Sequence, residues 1–83
     1  MIVKVLAAET DLTSATNVSL ATVVRLVNNN RSIDVVTRKN ASGTTLGSCT
    51  LTADSVTFAE KDPTDTLEGG ATILAAKVAY NIS

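Results

Sequence analysis

The chain has 83 residues and a net charge of −1, is 45% hydrophobic, and contains no histidine, one cysteine (Cys49) and only two aromatic side chains, Phe58 and Tyr80. That length allows a single β domain over residues 1–83 at the small end of what folds alone, with a core of Val, Leu, Ile and Ala rather than aromatic rings. The lone cysteine excludes an internal disulfide, the missing histidine an ordinary structural zinc, and the scattered basic residues a nucleic-acid footprint or polybasic membrane patch.

In chain order, Ile2–Ala7 reads as a first strand interrupted only by Lys4. Ala8–Asn17 is small, polar and rich in Thr and Ser, a connection between sheets with Leu12 as an anchor into the core. Leu20–Lys39 then reads as two strands, Val18–Asn28 and Arg31–Lys39, folded back across an Asn29-Asn30 turn. In that register Leu26 faces Ile33, Val24 faces Val35 and Thr22 faces Thr37, leaving one face aliphatic. On the other face Arg25 meets Asp34 and Val23 meets Val36. The face carrying Val23, Val27 and Val36 is too apolar for a plain solvent face, and is either an interface or covered by a second sandwich layer.

Asn40-Ala41-Ser42-Gly43 is the next turn. A three-residue loop with Gly43 left-handed sets Asn40 against Thr44, Val35 against Cys49 and Ile33 against Leu51; a four-residue loop places Leu46 on that face instead. The first is favoured. Thr44–Thr52 is a strand in either case, and Ala53-Asp54 turns it into Ser55–Lys61, where Val56 and Phe58 alternate with Thr57 and Ala59. Asp62-Pro63-Thr64-Asp65 carries the marks of a helix start, giving one short helical turn near Pro63 that Glu68-Gly69-Gly70 ends. Ala71–Ile82 is a strand, because Ile73, Ala75 and Lys77 alternate with Leu74, Ala76, Val78, Tyr80 and Ile82. About six strands at roughly ten-residue spacing make a small antiparallel β-sandwich or barrel, closed by pairing of the first and last strands.

Site chemistry is sparse. Without histidine no Ser-His or Cys-His pair exists, and so small a domain has little room for both a pocket and a core; no enzymatic activity is expected. Cys49, mid-strand among small residues, reads as a packed side chain rather than a nucleophile. Glu60, Asp62, Asp65 and Glu68 form the best metal candidate, but their spacing fits no EF-hand and Asp62 and Asp65 are accounted for as caps; no cofactor is expected. The start MIVKVLAAETD has too short an apolar run for a signal peptide and no segment is long enough to span a bilayer, so the four Asn-x-Ser matches at Asn17, Asn30, Asn40 and Asn81 read as accidents of composition. An unpaired cysteine suits synthesis in a reducing cytoplasm. A small domain lacking such staples gains stability by association, so a self-associating or partner-bound module is the natural reading.

Three stretches carry a resemblance: Glu9–Val18 (ETDLTSATNV) with the Val-rich strand after it, Gly43–Leu51 (GTTLGSCTL), and Glu60–Leu67 (EKDPTDTL) leading to Lys77-Val78-Ala79-Tyr80. In these the chain resembles small β-rich virion proteins of marine and freshwater tailed bacteriophages. The resemblance implies a capsid decoration, or cement, protein, made in the host cytoplasm and sited on the outer capsid surface in many copies. Its partner is then the major capsid protein, and it binds no nucleic acid, membrane or small-molecule substrate. Val3 and Val5 of the first strand with Leu12 of the following loop, or the turn at Lys61, Asp62, Pro63 and Asp65, are the parts expected to touch the capsid or a neighbouring copy. A neck or tail component, and a carbohydrate- or host-binding head module, are the alternatives; the scarcity of aromatic rings argues against the last.

Overall fold

In a computed structural model that describes residues 2–81, with side chains described as far as Ala79, the chain is an all-β antiparallel sandwich. Its strands are β1 (Ile2–Val5), β2 (Thr10–Asp11), β3 (Val23–Asn28), β4 (Asp34–Lys39), β5 (Thr45–Leu51), β6 (Val56–Glu60), β7 (Thr66–Glu68) and β8 (Ile73–Asn81). The first sheet runs β1-β8-β3-β6, with β2 following β1 along the same edge of β8; the second runs β5-β4-β7. Leu12–Thr16 borders the free side of β7, where Thr16 pairs with Leu67 and the Leu12 carbonyl accepts from the Gly69 N–H. Counting that segment as a short second strand, the two sheets have the order of an eight-stranded jelly roll. The expected pairing of first and last strands is present, Ile2 opposite Asn81 through Val5 opposite Val78.

The Leu20–Lys39 hairpin is not. Strand β3 lies between β8 and β6, so both its edges are occupied, and β4 belongs to the other sheet. Residues 29–33 form an arch between the sheets, tied by the Asn28 side-chain amide, which donates to the carbonyls of Ser32, Leu51 and Thr52. Arg25 consequently faces Phe58 and Ala76 and reaches Glu9 at 3.7 Å, whereas Asp34 lies in the second sheet. Among the described residues, only β4 and β5 form a hairpin between consecutive strands. Its loop is the favoured one: Gly43 has φ +87° and the Asn40 N–H donates to the Thr44 carbonyl. A bulge at Arg38/Lys39 then shifts the register by one, so Val36, not Val35, meets Cys49 and enters the core. Ile33 and Val35 are left exposed.

Near Pro63 there is a β-turn rather than helix: the Asp65 N–H donates to the Asp62 carbonyl, and the chain goes directly into β7. Asp at the first position and Pro at the second suit a type I turn as well as a helix start, and the pairing of Thr66–Glu68 with β4 selects the turn. Gly69 and Gly70 return the chain to the first sheet pressed against β4; a Cβ on Gly69 would lie 2.9 Å from Ile73 Cδ1 and 3.2 Å from the Val35 carbonyl oxygen. Strand β8 bears out the period-two reading of the last run, whose Tyr80 side chain and Ile82 lie outside the described residues.

The core is aliphatic: Leu12, Val18, Ala21, Val24, Leu26, Val36, Leu51, Leu67, Ile73 and Ala75 are its buried members. Before β3 the chain makes a left-handed turn without glycine, with φ of 52°, 56° and 59° at Val18, Ser19 and Leu20. The Asn17 side-chain oxygen accepts from the Leu20 N–H, and the carbonyls of Asn17 and Val18 accept from the Ala21 N–H. Burial of Val18 and Ala21 on either side holds this costly conformation in place.

Candidate functional site

Three surfaces account for the residues singled out in the sequence. The first is the crossing from β6 to β7. Lys61 is only 4% exposed, and its ammonium donates to the carbonyls of Ala21 (2.7 Å), Asp62 (3.2 Å) and Pro63 (3.3 Å). Burial pushes its pKa below the usual lysine value, with Asp65 acting in the opposite direction. Asp65, also buried, accepts from Arg38 Nε at 2.8 Å and Arg38 Nη2 at 2.6 Å, and from the Asp62 N–H at 3.1 Å. The Arg38 hydrogen bonds are the largest cause holding its carboxyl below the usual range. Glu68 in turn accepts from Lys39 at 2.7 Å. Asp65 and Glu68 of the acidic cluster are thus engaged by cations, and among the described residues no group of His, Cys, Asp and Glu is arranged to hold a metal ion.

Of the residues expected at a partner interface, Leu12, Lys61 and Asp65 are therefore corrected: they are buried and serve the fold itself. Leu12 belongs to the core, and Lys61 and Asp65 fasten the β6–β7 crossing from within. Asp62 and Pro63 are exposed beside them, Val5 is 68% exposed, and Val3 is half-buried. Lys61 and Asp65 are far apart from Arg38 in the chain, so only the β4–β7 pairing reveals their roles.

The second surface is the outer face of the first sheet, which sequence reasoning reached only in part through Val23 and Val27. Cross-strand pairing sets Val27 beside Val56 and Leu74, Arg25 beside Phe58 and Ala76, and Val5 beside Val78. Val56 is 50% and Phe58 38% exposed, and Val23, Val27 and Leu74 are half-buried. Phe58 thus lies on the surface rather than in the core. Val36, grouped with Val23 and Val27 in the sequence, lies instead inside the sandwich. The outer face of the second sheet differs in kind: around Val35 it presents Thr37, Lys39, Ser48, Thr50 and Glu68. One broad face of the molecule is largely apolar, with Arg25, Glu60 and Asp11 among its aliphatic residues, and the opposite one is mainly polar.

The third surface is the mouth of the sandwich between β5 and β6. A cleft of about 210 Å³ opens there, floored by Leu26, Val36 and Leu67 and flanked by Leu46, Cys49 and Ala59. Cys49 faces inward in register with Val36, yet it is exposed at this opening rather than packed. Comparison of the chain with protein-family models, curated proteins and solved structures finds no match.

Proposed function

We propose that the chain is a virion structural protein of tailed bacteriophages, a decoration protein that lies on the outer capsid surface and stabilises the shell. The observation that carries this reading is the contrast between the two outer faces. An apolar sheet face spanning β1, β8, β3 and β6 gains free energy by being covered, roughly 25 cal/mol per Å² of apolar area, and the polar face opposite remains in water. A rigid sandwich with one adhesive side suits attachment to a larger body in many copies. Jelly-roll order is also common among viral capsid and lectin domains, a fold-level analogy that by itself assigns no role. The resemblance in Glu9–Val18, Gly43–Leu51 and Glu60–Leu67 supplies the phage context, with the major capsid protein as partner.

The deciding experiment is co-sedimentation of the purified chain with expanded shells stripped of it. Phe58→Glu places a charge in the middle of the apolar face on an exposed site, so the fold is retained and shell binding falls at least about tenfold. Undiminished binding by Phe58→Glu removes this face from the reading. The exposed Phe58 ring also gives a carbohydrate-binding role one of the aromatic surfaces it needs, and a glycan-binding assay on the same variant separates the two.

A further inference from the structure

The sandwich has four sheet edges, and they are treated differently. The edge of β7 is bordered by Leu12–Thr16, the β1 edge carries Lys4, and the β6 edge carries Glu60. Covering an edge and charging it are the usual devices that keep strands from pairing with other chains. Strand β5 has neither. It pairs with β4 on one side, and on the other it meets no strand among the described residues. From Thr44 to Thr52 it contains no charged residue and no proline, and every residue from Thr45 to Thr50 is exposed. The bulge at Arg38/Lys39 places its extra residue, Leu46, near the start of β5, so the regular part of this edge is Gly47–Leu51, with open space where a Cβ on Gly47 would sit.

We infer that β5 is a dimerisation strand, which pairs antiparallel with the β5 of a second copy to give one six-stranded sheet of order β7-β4-β5-β5-β4-β7. The occupant is set by the chemistry of the edge. An uncharged strand offers no counter-charge by which to select a charged foreign segment. Against itself, about a two-fold axis near Ser48, it places no charge opposite a like charge. A strand added there also lies across the mouth of the β5–β6 cleft, covering Leu46 and Cys49 and extending a small core. The apolar outer face of the first sheet stays free, so dimerisation stands independently of the proposed docking to a shell.

Sedimentation equilibrium of the full chain tests this. The wild type is expected to be a dimer that dissociates on dilution. Ser48→Lys is expected to weaken dimerisation at least about a hundredfold, because the two lysines meet at the axis. Mixing Ser48→Lys with Ser48→Glu restores a dimer. Ser48 is exposed on the polar face, so far-UV circular dichroism and Tm confirm an intact fold, and Thr50→Lys repeats the test at a second exposed site. Phe58→Glu leaves the dimer unchanged. A wild type monomeric up to about 1 mM, a dimer that Ser48→Lys and Thr50→Lys leave intact, or a dimer lost in Phe58→Glu each overturns the assignment.

Discussion

Replacing Lys61 by Met removes the ammonium and keeps most of the stem volume, which isolates the contribution of its three hydrogen bonds. The Ala21 carbonyl is the costly loss: its contact with Lys61 is buried, and an oxygen stranded there costs about 1–3 kcal/mol. The carbonyls of Asp62 and Pro63 belong to exposed residues and can turn to water, so they add little. Removing a desolvated charge offsets part of the loss. The net expectation is a destabilisation of roughly 1–3 kcal/mol, or a fall in Tm of about 5–20 °C for a domain of this size. Urea denaturation monitored by far-UV circular dichroism at one protein concentration reads it as a lower midpoint at unchanged slope. A variant as stable as the wild type refutes the view that Lys61 fastens the β6–β7 crossing to the left-handed turn ahead of β3.

Asp65 gives a pH signature. Its folded pKa lies below its ordinary value of 3.8, so as acid is added the unfolded chain takes up the proton first. Its contribution to stability is complete well above pH 3.8 and is lost as the pH falls through that value towards the lowered folded pKa. Asp65→Asn is expected to lack this segment of the acid-denaturation profile, and an identical slope in both proteins contradicts the Arg38–Asp65 contact. Ser19 is exposed with φ of 56°, where glycine is free of the steric cost; Ser19→Gly is expected to raise stability by about 0.5–1 kcal/mol after the entropy of the unfolded chain is subtracted, read as a higher urea midpoint. Substituting Thr13, exposed with no left-handed backbone, by Gly gives no such gain.

Much of the strand content was legible because its signals are local. The period-two run from Ile73, the left-handed Gly43 after Asn40 and the alternation in Val56–Glu60 each lie within a few residues. Pairing was not legible to the same degree. Asn29-Asn30 between two aliphatic runs of matching charge is written the same way for a hairpin as for an arch, and only the occupation of both β3 edges by β6 and β8 decides. The bulge opposite Arg38/Lys39 has its extra residue, Leu46, beside Gly47 in β5, where the run of small residues hides the break in alternation. It nonetheless shifts the β4–β5 register by one and sets Val36 rather than Val35 against Cys49. Strand β7 is three residues long, below the length at which alternation can be read, and the Asp-Pro before it favours a helix reading. The burial of Lys61 and Asp65 ran against the usual exposure of charged residues and depends on Arg38, brought close only by the fold. The apolar outer face was half visible in Val23 and Val27, whereas Phe58 and Val56 joined it only through the non-local β3–β6 pairing.

The copy number of this protein in purified particles, measured against the major capsid protein by quantitative mass spectrometry, bears most directly on the role proposed for it. A decoration protein held by the apolar face of its first sheet is expected to approach the copy number of the capsid protein. Tens of copies or fewer per particle point to the neck or tail, and its absence from the particles contradicts the virion role altogether.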